Sequence, residues 1–173
     1  LTWNYENEIG YPNFFEETKN KSLKDFGIEL IEKMNELGIL IDVSHLSDGG
    51  FYDVLKHSKV PFIATHSNSR TITNHNRNLT DDMIKKISSV GGVIGINFCS
   101  YFLNDRIDNF SSIDDIINHI KHIKNIGGID CLGIGSDFDG ITSKVEIEDI
   151  SKIDKLYYRL KKESFTEYDI EKI

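Results

Sequence analysis

The sequence predicts an α/β fold in which parallel strands alternate with helices that pack outside the sheet. Three observations support this prediction. Four short runs are almost continuously apolar, as is typical of strands buried on both faces of a parallel sheet: residues 39–43, 61–65, 92–98 and 131–135. Segments with helical periodicity separate the runs, and glycines follow several of these segments. Repeated strand–helix units of this kind predict parallel strands joined by right-handed crossovers.

Capping residues set the boundaries of the predicted helices. Ser22 begins a variant capping box before the first helix, and Gly38 follows that helix. Thr80 and Ser112 are expected to cap the third and fourth helices. The expected helices cover residues 26–37, 51–57, 81–90, 112–126, 153–162 and 166–173.

With 173 residues, the chain has the length of one domain, so we expect 1–173 to be a single domain. A complete (β/α)₈ barrel needs about 250 residues. The four runs, together with a strand end expected at residues 1–3, amount to roughly five strands. Two arrangements therefore stay open at this point: an open doubly wound sheet and an incomplete barrel.

Composition excludes several classes of protein. The net charge of -8 argues against a nucleic-acid binder. No apolar run is long enough for a transmembrane helix, and no signal peptide or membrane anchor is visible. Cys99 and Cys131 lie in apolar runs and are expected to be buried free thiols. A reducing, cytoplasmic setting fits them, although the sequence does not determine it.

Polar residues follow three of the predicted strands. His45 follows the first run, His66 the second, and Asp137 and Asp139 the fourth. The carboxyl ends of parallel strands are where sites are built in α/β folds. Two imidazoles that converge there could bind zinc, whereas the alternative is that each histidine only caps its strand end. Alternation along a strand would turn at most one of the two aspartates toward the site.

The loop at residues 67–79 and one helix carry further candidates. Arg70 or Arg77 could clamp a carboxylate at the same rim, and the alternative is a solvated loop arginine. His119 and His122 have i, i+3 spacing, which can hold a metal. Their lysine-bearing helix instead favours a solvated or partly packed face.

Five ordered motifs resemble the membrane (renal) dipeptidase family of zinc metallopeptidases, and its bacterial branch in particular. The motifs are LTWN at 1–4, GILIDVSH at 38–45, ATHSN at 64–68, NRNL at 76–79 and GSDFDG at 135–140. Their order and spacing agree with the family over nearly the whole chain. The resemblance implies a hydrolase with a (β/α)₈ TIM barrel and a binuclear zinc site at the carboxyl ends of its strands. This chain would supply roughly the C-terminal five βα units, without the N-terminal strands.

The resemblance also implies roles for individual residues. His45 and His66 match the histidines that ligate one of the two zinc ions. Arg77 matches the arginine that holds the carboxylate of the dipeptide. Asp137 matches the acid/base residue, which also meets the substrate amine, so it would be both catalytic and substrate-binding. Trp3 stands where the mammalian members have a substrate-contacting histidine, so substrate preference is expected to differ. The nucleophile in that scheme is a metal-bridging hydroxide.

The family's first zinc site and its bridging glutamate match nothing in this chain. We therefore expect a carboxyl-terminal portion of the enzyme, trimmed at both ends, with little activity alone. Open strand edges would favour association, so a homo-oligomer is one expected form. The expected partner is a small dipeptide. Two alternatives stay open: a metal-free module that binds a small carboxylate through Arg77, and another metal-dependent amidohydrolase.

Overall fold

The computed structural model describes residues 1–173 and contains seven α-helices and four short strands. The helices are α1 Asp25–Leu37, α2 Asp48–His57, α3 Asp81–Ser89, α4 Ser100–Leu103, α5 Ile113–Gly127, α6 Asp154–Lys162 and α7 Glu167–Lys172. The strands are β1 Ile94–Ile96, β2 Phe110–Ser111, β3 Leu132–Ile134 and β4 Lys144–Val145. None of the helices is both long enough and apolar enough to cross a bilayer.

Four parallel segments lie side by side in chain order. A parallel bridge joins Asp42 to Ile63, and another joins Ala64 to Ile94. Strand β1 then pairs in parallel with β3, with Ile94 opposite Leu132. Each predicted apolar run therefore contributes one segment, and no reversal of order occurs across the four. Strands β2 and β4 form a separate parallel pair.

The regular strands are shorter than the predicted runs. The runs at 39–43 and 61–65 enter the sheet through single bridges, and only three residues of each later run form regular strand. The strand end expected at residues 1–3 is wrong, because these residues form no strand. The amino group of Leu1 contacts the carbonyl of Asp42 at 3.3 Å instead. An isolated contact of this kind does not extend the ladder.

Local capping explains most helix boundaries. The Thr80 hydroxyl accepts a hydrogen bond from the first turn of α3, and Ser112 opens a reciprocal capping box at α5, as predicted. The capping box expected at Ser22 is wrong, because α1 begins after Lys24 without a side-chain cap. Helix α2 begins three residues earlier than predicted because Ser47 caps it.

The hydrophobic core lies between the sheet and the helices. Ile31 of α1, Ile84 of α3 and Ile120 of α5 are fully buried together with Ile94 and Ile96 of β1. Burying a side chain of this size contributes about 1.5–3 kcal/mol. The opposite face of the sheet is more open, with Leu40 and Val93 at 55% and 36% exposure.

Two glycines allow the strand ends to approach one another closely. A Cβ atom on Gly95 or Gly135 would lie only 2.0 Å from the carbonyl oxygen of Thr65. Only glycine permits that approach. The packing brings the segments that lead to His66 and Asp137 together at one edge of the sheet.

Candidate active site

A cleft of about 380 Å³ opens beside the residues that follow the parallel segments. All five residues singled out from the sequence line it: Trp3, His45, His66, Arg77 and Asp137. They come from five separate motifs of the chain, so the tertiary fold is what brings them together.

The two histidines converge on a common point. Their Nε2 atoms lie 2.8 Å apart. Each Nδ1 atom points away from that point: Nδ1 of His45 lies 2.8 Å from Oδ1 of Asn4, and Nδ1 of His66 lies 2.7 Å from Oγ1 of Thr65. His45 has a φ of 70°, a left-handed conformation that is uncommon for a residue with a side chain. The alternative of two independent strand-end caps does not describe this arrangement.

Asp42 and Ser44 tie the two segments together beneath the histidines. The Asp42 carboxylate accepts hydrogen bonds from the Ser44 amide and from the amide and hydroxyl of Thr65, at 2.9, 3.0 and 2.6 Å. The Ser44 hydroxyl accepts the amide of His66 at 3.0 Å. Burial acts to raise the pKa of Asp42, but these hydrogen bonds outweigh burial and lower the pKa. The sequence interpretation missed Asp42, although a charged residue inside an apolar run was a signal.

The histidine pair fits half of a zinc shell. Burial, followed by the nearby Arg77 charge, lowers the pKa of His45 to about 3 and lowers that of His66. Neutral imidazole is the form that ligates metal. Two ligands of a tetrahedral zinc lie about 3.3 Å apart, so the observed pair would separate by about half an ångström. The chain brings no group of three or more His, Cys, Asp or Glu side chains together. A zinc shell needs three or four protein ligands, so the remaining ligands would come from outside this chain.

Arg77 is a buried cation without a partner. Its side chain is almost fully enclosed, and none of its three guanidinium nitrogens has a hydrogen-bond partner. The guanidinium stands over the Phe102 ring at 5.4 Å, and its backbone amide donates to Nδ1 of His75. Burial lowers the pKa of Arg77 to about 10, so the group stays charged at neutral pH. Such a group fits a carboxylate ligand, which can satisfy it bidentately.

Arg70, the other arginine of the loop, has a structural role. Its guanidinium donates to both oxygens of Asp48 at 2.6 and 2.8 Å, and to the carbonyls of Asn76 and Asn78. The alternative of a solvated loop arginine is therefore wrong for both residues. The folded loop thus gives the guanidinium of Arg70 hydrogen-bond partners and encloses that of Arg77 without any.

Only one of the two candidate aspartates faces the cleft. Oδ2 of Asp137 accepts a hydrogen bond from Nδ2 of Asn97 at 3.0 Å, and Asp137 has a φ of 61°. Asp139 lies exposed in the turn that follows. The expectation of a single inward aspartate is confirmed, but strand alternation is not the cause. Strand β3 ends at Ile134, and a left-handed turn orients Asp137.

Trp3 and Cys99 also line the cleft. Trp3 is 62% exposed at the rim and packs edge-to-face on Tyr5, with 5.8 Å between the ring centroids. Cys99 is buried and lines the cleft, which the sequence interpretation did not anticipate. Burial raises the pKa of its thiol. Cys99 and Cys131 are both free and buried, as predicted.

The two helical histidines do not form a metal pair. His119 is completely buried, so the expectation of a solvated or partly packed face is wrong for it. Its ring accepts the Ser69 amide at Nδ1 and donates from Nε2 to the Leu103 carbonyl. The ring lies on the same face of α5 as the buried isoleucines, and that spacing was visible in the sequence. His122 lies elsewhere on the helix and contacts Asp81 at 2.8 Å.

Comparison with known proteins places this geometry in a family. The family described as membrane dipeptidase (peptidase family M19) matches residues 1–173. A Klebsiella pneumoniae protein, known as an uncharacterised protein in the pqqA 5′ region, is 38% identical over 149 residues, 85% of this chain and 55% of its own length. An uncharacterised dipeptidase of Schizosaccharomyces pombe is 37% identical over 142 residues, 82% of this chain and 34% of its own.

A solved structure is similar over almost the entire chain. It is a metallopeptidase from Rhodobacter sphaeroides, crystallised with a phosphinate mimic of the dipeptide L-Ala-D-Ala. The TM-score is 0.91 at 30% identity, and the match covers 99% of this chain and 50% of that one. This chain thus spans about half the length of the bacterial relatives and about a third of the yeast protein.

Proposed function

The chain belongs to the membrane dipeptidase family, and on that premise we propose that it is the carboxyl-terminal portion of a zinc-dependent dipeptidase. The buried, unpartnered guanidinium of Arg77 beside two converging imidazoles is the observation that carries the proposal. Neither feature serves packing: an unpaired buried cation destabilises a folded protein. A ligand with a carboxylate would satisfy both the charge and the shape of the cleft.

The architecture assigned by this proposal is an incomplete (β/α)₈ barrel of roughly five βα units. The support is the parallel order of four segments without reversal. In a complete barrel, the face that carries Leu40 and Val93 would point toward the interior, which side chains fill. Their exposure in this chain favours contact with further protein, either the rest of a barrel or a second copy in a homo-oligomer.

Arg77 and Asp137 would divide the work on the substrate. Arg77 would bind the terminal carboxylate of a dipeptide and fix the position of its peptide bond. Asp137 would hold a proton at its carboxylate and deliver it to the departing amine. The Asn97 amide orients the Asp137 carboxylate for that role. Trp3, at the rim, would contact the outer part of the substrate.

His45 and His66 would hold one zinc ion through their Nε2 atoms. A complete enzyme would hold two zinc ions, with the other site and the bridging carboxylate outside this chain. Zinc bound there supplies Lewis-acid activation of the scissile carbonyl and of the attacking water. Burial of the pair keeps both rings neutral and able to ligate.

One observation favours a second candidate function for the chain by itself. It brings together only His45 and His66 as candidate metal ligands, whereas the guanidinium of Arg77 has all three of its nitrogens free to bind a carboxylate. Binding of a small carboxylate without hydrolysis is therefore the alternative.

Zinc content and dipeptide hydrolysis separate the two candidates. We expect two zinc ions per chain and dipeptide hydrolysis for the complete protein, and little hydrolysis for purified residues 1–173. A complete protein that binds no zinc but still binds dipeptides would refute the enzyme. Measurable zinc-dependent hydrolysis by residues 1–173 alone would refute the division of the site between this chain and the rest of the protein.

A further inference from the structure

We propose that Asp42 and Thr65 are positioning residues that determine which nitrogen of the His66 ring carries the hydrogen. They would leave the nitrogen that faces His45 with a bare lone pair for a divalent metal ion. The inference rests on the zinc-binding role proposed above for the histidine pair. The inference adds the two residues that leave the histidine pair in the tautomer able to bind the metal ion.

The direction of each hydrogen bond follows from what each group can donate. The Asp42 carboxylate can only accept, and it takes the Thr65 hydroxyl hydrogen at 2.6 Å. A hydroxyl has a single hydrogen, so Thr65 Oγ1 can only accept along its 2.7 Å contact with Nδ1 of His66. His66 must therefore donate from Nδ1, which leaves the lone pair on Nε2.

Asn4 orients His45 in the same sense. Nδ1 of His45 lies 2.8 Å from the side-chain carbonyl oxygen of Asn4, which accepts. The Nε2 atoms of His45 and His66 then face each other at 2.8 Å with two lone pairs. Two acceptors cannot form a hydrogen bond with each other. A cation between them satisfies both, and outer hydrogen bonds to ligating histidines have this arrangement in metal sites.

The fold supplies the connection between the two segments. Asp42 and Ile63 form a parallel bridge, so the Asp42 carboxylate lies beside Thr65 on the neighbouring segment. The backbone amide of Thr65 donates to the same carboxylate, which fixes its orientation. Thr65 is itself exposed, so its hydroxyl contributes little to the core and can be altered without unfolding the chain.

Three substitutions of nearly constant shape test the connection. In Asp42→Asn, the new amide group can donate to Thr65 Oγ1. The hydroxyl hydrogen would then turn toward Nδ1 of His66, and the ring hydrogen would move to Nε2. Thr65→Val removes the hydroxyl at similar volume. Thr65→Ser retains it and is the matched control. Far-ultraviolet circular dichroism checks that each variant keeps the fold.

Nitrogen-15 NMR of the histidine rings in the metal-free 173-residue chain reports the tautomer directly. We expect His66 with hydrogen on Nδ1 in the unaltered chain and in Thr65→Ser, and with hydrogen on Nε2 in Asp42→Asn. Thr65→Val should give a mixture. Hydrogen on Nε2 in the unaltered chain, or an unchanged ring spectrum in Asp42→Asn, would overturn the inference.

Zinc affinity of the complete protein, measured by competition with a chromophoric chelator, provides the second readout. Asp42→Asn and Thr65→Val should weaken zinc binding by about 10- to 100-fold, while Thr65→Ser stays close to the unaltered chain. Equal affinity of Asp42→Asn and the unaltered chain would contradict the positioning role. If the 173-residue chain shows the expected tautomer but the complete protein takes up no zinc, the placement of the hydrogen holds and the proposed zinc function fails.

Discussion

Replacing Arg77 with methionine should make the ligand-free protein more stable. Burial, partly offset by attraction to Asp137, lowers the pKa of Arg77 from its ordinary value to about 10. That difference corresponds to about 3 kcal/mol against the charged form in the folded state. Both values lie well above neutral, so the unfavourable contribution is fully present between about pH 6 and 8.

Methionine is unbranched and can fill most of the space that the arginine stem occupies. The variant loses the contact between the guanidinium and the Phe102 ring, worth about 0.5–2 kcal/mol. The expected net result is a gain of about 1–2 kcal/mol in the free energy of unfolding. Binding of a dipeptide should weaken by about a hundredfold or more, because the carboxylate loses its charged partner.

Urea denaturation followed by circular dichroism measures the first effect, and isothermal titration calorimetry measures the second. Arg70→Met is the matched control, because Arg70 has a bidentate partner in Asp48. Its removal leaves that carboxylate unpaired and should cost about 3 kcal/mol. If Arg77→Met destabilises the chain as much as Arg70→Met does, the interpretation of Arg77 as an unsatisfied ligand-binding cation is wrong.

Three further outcomes follow from the structure. Asp137→Asn should reduce dipeptide hydrolysis by the complete enzyme about 10²- to 10⁴-fold in a steady-state assay. Its free energy of unfolding should fall by no more than about 1 kcal/mol, since asparagine tolerates a φ of 61° and only the attraction to Arg77 is lost. Gly95→Ala places a methyl group 2.0 Å from the carbonyl oxygen of Thr65. It should lower the free energy of unfolding, measured by urea denaturation, by at least about 3 kcal/mol. Gly133→Ala is the control, because its new methyl group meets only a side-chain methyl at 3.2 Å and should lower the free energy of unfolding by less than about 1 kcal/mol. Equal losses in the two alanine variants would contradict the steric argument. Burial lowers the pKa of His119 to about 4. As the pH drops from about 6.5 to 4, this histidine takes up a proton in the unfolded chain before it does so in the folded chain. The free energy of unfolding should therefore fall by up to about 3 kcal/mol over that range. His119→Gln should show a shallower fall over the same range, and identical pH profiles would rule out this contribution.

Features that depend on neighbouring residues could be predicted from the sequence. The caps at Thr80 and Ser112 were correct because the capping side chain and the amide it accepts lie within one helical turn. The predicted cap at Ser22 is wrong, and a contact between residues far apart in the chain stands at this helix start. The amide of Leu23 donates to the carboxylate of Asp53, thirty residues away, and the chain enters α1 through Lys24 instead.

The candidate site was predictable in its residue types but not in its geometry. His45 and His66 follow apolar runs, and that pattern alone marked them. The convergence of their Nε2 atoms depends on the pairing of segments that are about twenty residues apart. Arg70 and Arg77 show the limit most clearly, because their sequence contexts are alike. Only folding of the loop gives Arg70 an aspartate and leaves Arg77 without a partner.

The sequence by itself determined the alternation of apolar runs and helices, the family motifs and the identity of the residues that follow each run. These properties follow from the side chains of adjacent residues and from their spacing along the chain. Only the tertiary structure decided the order of the parallel segments, the hydrogen-bond chain from Asp42 through Thr65 to His66, and which arginine is buried without a partner. Each of these depends on contacts between residues far apart in the chain, which local sequence cannot specify.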